Sequence, residues 1–253
     1  MILNNTSIAP SRVDVHKPNY EQFTMPTNDK NVFFSLDDFG ISQKANENIL
    51  KLAQSGKIGR VSVMSHGAIC PEDADSLLAT GVELDVHVDL RNSVDFKRKL
   101  KDGIFGRAAV FISSYFSGKA TPALIEEMWA SQIEGFQKIF GKSPDGINSH
   151  EHAHFFPPYF RILLKLSKEY GIRRMRFGKK SYWGTAPVSW ILNCLRIKNN
   201  RLFLESDLDS PDLVLSFDWL GSLDSLEKYL KNGSIEVIFH PERDEEMAFL
   251  EDL

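Results

Sequence analysis

From Asn31 onward, short runs of β-branched and aromatic residues alternate with longer stretches whose apolar positions recur at helical spacing. The runs predict strands over Val32–Leu36, Arg60–Met64, Val82–Val88, Gly146–Ser149, Arg173–Phe177, Leu213–Ser216 and Ile235–Phe239. Helices are predicted between them, over 43–55, 72–80, 122–140, 157–169, 187–197, 222–231 and 243–250. In the third, Leu124, Met128, Ile133, Phe136 and Phe140 share one face, and Gly141 with Pro144 ends it. Strands that alternate with helices imply parallel βα units. Seven of them fit either an open sheet or an irregular barrel.

Polar residues at strand ends decide in favour of the barrel. Asp37 and Asp38 follow the first strand, His87 closes the third, His150 follows the fourth and His240 follows the seventh. In parallel barrels the C-terminal ends of several strands converge on one face. The expectation is an α/β fold, an irregular seven-stranded (β/α) barrel over residues 31–253. Residues 1–30, aperiodic and carrying Pro10, Pro18 and Pro26, read as an irregular leader.

With 253 residues and 42% hydrophobic content, the chain can bury one sizeable core. A net charge of -4 gives no overall basic field for nucleic acid or anionic lipid. Cys70 and Cys194 stand far apart in no metal-binding spacing; they read as two small buried residues, with no disulfide framework or zinc knuckle. Met1-Ile2-Leu3 turns polar at once, which is not a signal peptide, so the expected location is cytoplasmic. Ala186 to Ile197 is the most apolar late window, but Ser189, Asn193 and Arg196 interrupt it and it is too short to span a bilayer.

Four constellations carry candidate chemistry. Asp37 and Asp38 are adjacent carboxylates after an apolar strand, costly to bury without a neutralising cation. A divalent metal suits them, with one carboxylate as ligand and its neighbour as general base; an Asp-rich turn capped by Ser42 is the plainer alternative. Asp85, His87 and Asp89 fall on one strand face opposite Val86, Val88 and Leu90, either as a polar barrel lining or as a solvent-facing edge. Asn148-Ser149-His150-Glu151-His152-Ala153-His154 packs three histidines into five residues between a strand and apolar Phe155-Phe156. Finally, His240 before Pro241 could serve as a general acid or be a core histidine. His16 and His66, without such company, read as structural.

Two motifs are weighed and set aside. His150 to His154 matches H-E-x-x-H, but a zinc peptidase needs that motif on a helix, and Pro157-Pro158 leave no room for one. Gly141-Lys142-Ser143 lacks the P-loop register, since Gly135 is one residue off and Pro144 follows.

The string Asp37-Asp38-Phe39-Gly40, with Asn46 and Asn48 after it, resembles the opening of the YdjC/ChbG-like carbohydrate deacetylases. So do Val63-Met64, His87, Ser131-Gln132-Ile133-Glu134 with Phe136, the Ser-His-x-His-x-His run at 149–154 and His240-Pro241, in that order over roughly 31–242. The resemblance implies a seven-stranded barrel related to polysaccharide deacetylases, and removal of acetyl groups from N-acetylated amino sugars. It implies Asp38, His87 and His150 as ligands of one divalent metal, zinc or magnesium, with Asp37 as base and His240 as acid. Arg176, His152 and His154 become groups that line the site or touch substrate. Asp85 and Glu242 stand where the family usually has glycine, which bears on substrate preference. The expected partner is an acetylated sugar or oligosaccharide, without nucleic acid or membrane span, and a homodimer is one of the open oligomeric states. The segment 91–120 is expected to act as a lid, with Phe105, Phe111, Tyr115 and Phe116, together with Tyr182-Trp183, stacking on sugar rings or packing in the core. A non-catalytic sugar-binding barrel is the rival from another class, and a metallopeptidase the third.

Overall fold

The computed structural model describes residues 31–90, 113, 115–118, 120–220 and 233–253. The leader 1–30, the predicted helix 222–231 and most of the 91–120 segment, with Phe105 and Phe111, lie outside the described residues.

Six strands form one curled, wholly parallel sheet: β1 (Val32–Phe39), β2 (Arg60–Val63), β3 (Glu83–Val88), β4 (Gly146–Ser149), β5 (Leu213–Ser216) and β6 (Ile235–Phe239). Their spatial order is β4-β3-β2-β1-β6-β5, so the longest strand, β1, lies near the centre. The helices are α1 (Gln43–Gln54), α2 (Pro71–Ala79), α3 (Pro122–Phe140), α4 (Pro157–Glu169), α5 (Pro187–Leu204) and α6 (Asp244–Asp252). Sequence chemistry sets their ends. Ser42 caps α1 by accepting from Ala45 N at 3.2 Å, and Thr121 caps α3 ahead of Pro122. Gly141 closes α3 at φ 65°.

The seventh predicted strand, 173–177, is a difference. It meets its neighbours through single bridges, Ile147 to Met175 and Arg174 to Asp209, not through a ladder. Backbone bonds Ile147 N to Arg174 O (3.0 Å), Arg176 N to Ile147 O (3.1 Å) and Met175 N to Asp209 O (2.9 Å) still hold it in place. Its neighbour β4 has only four residues, which limits the ladder. Helix α5 also runs to Leu204, beyond the predicted end at 197.

Apolar side chains of β1–β6, among them Leu36, Val61, Val86, Ile147 and Val237, are buried with those of the helices. Burial of this kind stabilises by about 25 cal/mol per Å² of apolar surface. Phe217 and Phe239 stack at 4.7 Å and Phe249 joins them at 4.8 Å, which seats α6 on the β5–β6 edge. The other side of the strands is ionic. Arg60, Arg174 and Arg176 meet Asp37, Glu83, Asp85 and Glu236, and β3 is buried throughout beyond Glu83, so it is no solvent-facing edge. Both cysteines are exposed, contrary to the buried reading: Cys70 caps α2 by accepting from Asp73 N, and Cys194 lies on the outer face of α5. Among the described residues no helix is long and apolar enough to cross a membrane.

Candidate active site

Ordinary strand alternation would send Asp37 and Asp38 to opposite faces. The β1–β2 register prevents this. Leu36 pairs with Val61 but Phe39 with Val63, so β1 carries one extra residue at Asp37–Asp38. Asp38 takes φ 69°, the left-handed region that aspartate tolerates better than most residues. Both carboxylates are thereby buried at the strand end. Gly40 then turns the chain at φ +99°, where a Cβ would sit 2.7 Å from Met64 O. Asn46 locks the turn: its Oδ1 accepts from Gly40 N at 2.7 Å and its Nδ2 donates to Ala68 O at 2.7 Å. Asn48 holds the opposite rim by donating to Pro241 O at 2.8 Å, beside His240.

Asp38, His87 and His150 converge. One potential ligand atom from each lies within 4.8 Å of the others. His150 Nδ1 is 2.8 Å from Asp38 Oδ1, His87 Nε2 is 3.3 Å from the same oxygen, and the two rings meet edge to face at 5.5 Å. Burial raises the Asp38 carboxyl, but the His150 hydrogen bond and the two imidazoles beside it hold it well below 3.8.

Asn148 determines how His87 faces this group. Its Nδ2 donates to Ser62 Oγ at 2.9 Å and approaches Asp85 Oδ2 at 3.4 Å, so its Oδ1 is left to accept from His87 Nδ1. With the proton on Nδ1, neutral His87 turns the Nε2 lone pair toward Asp38 Oδ1. Two acceptors 3.3 Å apart call for a cation between them. Two imidazoles and one carboxylate, with Asp38 and His87 buried and His150 half-buried, therefore fit a divalent metal ion of the kind bound by nitrogen and oxygen donors.

Asp37 points to another partner. Arg176 Nη1 donates to its Oδ1 at 2.8 Å and Oδ2 at 2.7 Å. Burial alone would raise this carboxyl, and the guanidinium instead holds it down to about 2. Arg176 is itself fixed by Glu236 Oε1 (2.9 Å from Nε), Ser62 Oγ (3.0 Å) and Ser35 Oγ (3.3 Å). Arg60 donates to the second oxygen of Glu236 at 2.8 Å, which continues the ion chain below the site.

On the opposite rim, His240 is governed by Glu246 of α6. Glu246 Oε2 accepts from His240 N at 2.6 Å and lies 3.4 Å from Nδ1, while its Oε1 accepts from Arg243 at 2.6 Å. Burial lowers the His240 pKa, but the Glu246 carboxylate outweighs it and raises the value above 6.5. Asp37 and His240 are close enough for each to feel the other's charge.

The remaining predicted residues separate. Residues 150–155 form a 3-10 turn in which Glu151 and His152 have positive φ (52° and 55°), so His150 and His154 do not share a helical face. That removes the peptidase geometry. His154 is fully buried, with Nδ1 2.6 Å from Ser149 Oγ and Nε2 3.1 Å from Arg176 O, and burial pushes its pKa down to about 3. Both nitrogens are thus committed to the protein, which suits a group that lines the site. His152 packs its ring 5.5 Å from Trp219 and lines a cavity with Arg176, Phe155 and Tyr182; burial likewise lowers its pKa. Arg176 is buried under Asp37 and gives its Nη1 to both oxygens of that carboxylate.

Asp85 does not face the site as a new carboxylate. It pairs with Arg174 beside Gly146, where a Cβ would come within 2.6 Å of Asp85 Oδ1, and burial raises its pKa despite Arg174 and Arg60. Glu242 accepts from Ser42 Oγ at 2.9 Å on the surface. Tyr182 is buried, whereas Trp183 and Phe116 are exposed; Tyr115 packs on Phe156 and Tyr159. His66 lies on the surface near Ser131 O at 3.3 Å, away from the site. Glu236, Glu246 and Asn148 escaped the sequence reading. A glutamate inside the apolar run Ile235–Phe239 was a usable signal, whereas Glu246 within Asp244-Glu245-Glu246 looked like any solvated acidic turn.

A carbohydrate deacetylase of Danio rerio is 23% identical over 147 residues, covering 55% of this chain and 47% of its own. A chitooligosaccharide deacetylase of Escherichia fergusonii is 28% identical over 145 residues, covering 54% and 56%. The chain thus spans about half the length of these curated relatives. In fold it is similar to a candidate cellobiose-phosphate cleavage protein of Enterococcus faecalis, with a TM-score of 0.55 at 19% identity over 83% of this chain and 80% of the other. The model of the YdjC-like protein family matches residues 31–252, and the chain belongs to that family.

Proposed function

We propose that this chain is a metal-dependent carbohydrate N-deacetylase, which hydrolyses the acetamide of an N-acetylated amino sugar. The observation that carries the reading is the convergence of Asp38, His87 and His150 beside an Asp37 held ionised by Arg176. The names of the relatives, carbohydrate and chitooligosaccharide deacetylase, support the substrate class. In this reading the 173–177 segment is the seventh member of an irregular barrel.

Asp38, His87 and His150 would hold the ion, zinc or another transition metal by donor type, with magnesium the alternative. Bound there, a divalent cation supplies positive charge that polarises the acetamide carbonyl and acidifies water. The protein's own groups do the rest. Asp37, anionic above pH about 2, takes the proton of the attacking water while its oxygen adds to the acetyl carbon. His240, on the other rim, has its protonated form favoured by the Glu246 carboxylate. It gives its proton to the amine nitrogen as the C–N bond breaks, leaving acetate and a free amine.

The test is metal content measured together with acetate release from N-acetylglucosamine oligosaccharides and conjugates. Wild type should carry stoichiometric metal and release acetate. Asp37→Asn should keep the metal and lose turnover by roughly a hundredfold or more, and His150→Ala should lose both. Failure of the wild type to bind any divalent metal would overturn the proposal.

A further inference from the structure

Beside the candidate base lies a cavity with one cation too many. His152 and Arg176 line it on the side of the site, Trp219 and Tyr182 wall it, and Arg196 reaches it from α5. The space open to the centres of water molecules is about 30 Å³. One water needs roughly 10–15 Å³ by that measure, so a small group fits there and a sugar ring does not.

Arg196 is the unusual member. Arg60, Arg174 and Arg176, the other arginines withdrawn from solvent among the described residues, each meet carboxylates. Arg196 meets none among those residues. Its Nη1 donates to Lys179 O at 3.1 Å and its Nη2 to Ser181 Oγ, both uncharged acceptors, while its buried Nε has no hydrogen-bond partner. Burial lowers its pKa and no neighbouring anion opposes the shift. A half-buried guanidinium stays charged all the same, and without a counter-charge it is destabilising.

The neighbours are already matched. Arg176 is held by Asp37 and Glu236, and Lys180 has Asp212 Oδ1 at 3.9 Å. Ser189 gives its proton to Ala186 O at 2.7 Å, and Asn193 gives its Nδ2 hydrogens to Tyr182 O and Ser189 O. Among the arginines and lysines that line the space, only Arg196 therefore keeps an uncompensated charge and a donor to spare.

We propose that this cavity is a carboxylate subsite, in which Arg196 holds a carboxylate carried by the acetylated glycan. One uncompensated positive charge calls for a monoanion. A carboxylate is one, whereas a phosphate monoester carries closer to two charges near pH 7. A planar guanidinium also pairs edge-on with a planar carboxylate, which suits so small a space. The acetylated sugar, or the residue linked to it, is then a sugar acid. Assigning the carboxylate to the glycan rests on the deacetylase reading; the carboxylate site itself does not.

Two measurements on the full, metal-loaded chain test this. Isothermal titration compares glucuronate, glucose, glucose 6-phosphate and acetate as ligands of wild type, Arg196→Met and Arg196→Lys. Glucuronate should bind wild type at least roughly tenfold tighter than glucose or glucose 6-phosphate. Arg196→Met should lower that affinity by roughly tenfold or more, which separates this site from carboxylate binding at the candidate metal centre. Should Arg196→Met fail to fold, Arg196→Lys, which keeps the charge but not the planar fork, should still weaken glucuronate severalfold. The second measurement is acetate release from N-acetylglucosamine linked to glucuronate, against di-N-acetylchitobiose. The kcat/KM ratio should favour the acidic substrate by roughly tenfold and fall toward one in Arg196→Met, chiefly through KM. Glucuronate that binds no tighter than glucose, or equally well in both variants, overturns the proposal. So does tighter binding of glucose 6-phosphate, which marks a phosphate site. Acetate that binds as tightly as glucuronate, with the kcat/KM ratio unmoved in Arg196→Met, overturns the assignment to the glycan and leaves a site for released acetate. If neither sugar releases acetate, the deacetylase reading fails, and the titration alone decides the subsite.

Discussion

Replacing Arg176 by methionine tests whether the ion chain beneath the site is responsible for the state of Asp37. Methionine fills similar volume without charge. In the native chain Arg176 gives both oxygens of Asp37 a hydrogen bond, holds one oxygen of Glu236 and reaches two serine hydroxyls. Glu236 keeps Arg60 after the substitution, but Asp37 keeps no arginine. Removing one partner of a buried pair costs about 3–5 kcal/mol, because the other charge stays behind. The pH dependence gives the sign. The native Asp37 pKa lies below its ordinary 3.8, at about 2, so its contribution is complete above pH 3.8 and disappears as pH falls through 2. At about 1.4 kcal/mol per unit, that amounts to roughly 2 kcal/mol. In the variant, burial and the Asp38 charge raise the carboxyl against only the smaller opposing pull of His87 and His240, so protonation relieves the orphaned charge. Urea unfolding of the metal-stripped protein at pH 7 should show a loss of about 3–5 kcal/mol, with a smaller difference at pH 4.5. A loss under about 1 kcal/mol, or one that is the same at both pH values, would refute the idea that Arg176 keeps Asp37 ionised.

Other substitutions follow from the same geometry. Glu246→Gln removes the carboxylate that raises the pKa of His240, so the alkaline limb of the kcat profile for acetate release should move to lower pH, with little change in the acidic limb. An unmoved alkaline limb would separate Glu246 from the acid. Asn148→Leu frees the His87 proton to sit on either nitrogen, and metal affinity measured by competition with a chelator should fall by roughly 10–100-fold without loss of the ligands themselves. Unchanged affinity would mean that Asn148 does not fix the tautomer.

The six strands were legible in the chain because their burial is two-sided or alternating, and the clear end signals Ser42 and Gly141 set helix ends within a residue or so. The 173–177 run was overread as a full strand. Its apolar residues Met175 and Phe177 do pack, but the alternating Arg174 and Arg176 are ionic partners, and pairing with them is not encoded locally. The convergence of Asp38, His87 and His150 was visible as polar residues at strand ends. What lies behind them was not. Glu246 acts from a helix six residues after His240, and Asn148 from the strand beside His87, so each matters only through a tertiary neighbour.

The extra residue in β1 makes the proposed base and metal ligand chain neighbours on one side of the sheet. Their Cα atoms are therefore about 3.8 Å apart by covalent geometry, whatever the sheet around them does. Softening of the scaffold, by heat or by mutation at a distance, would blur the contacts to His87, His150 and His240 long before it separated Asp37 from Asp38. Such a pair is poorly suited to independent tuning, since any change in strand register moves both carboxylates together. A single-residue deletion here would return the strand to plain alternation and turn one of the two acids out of the chamber.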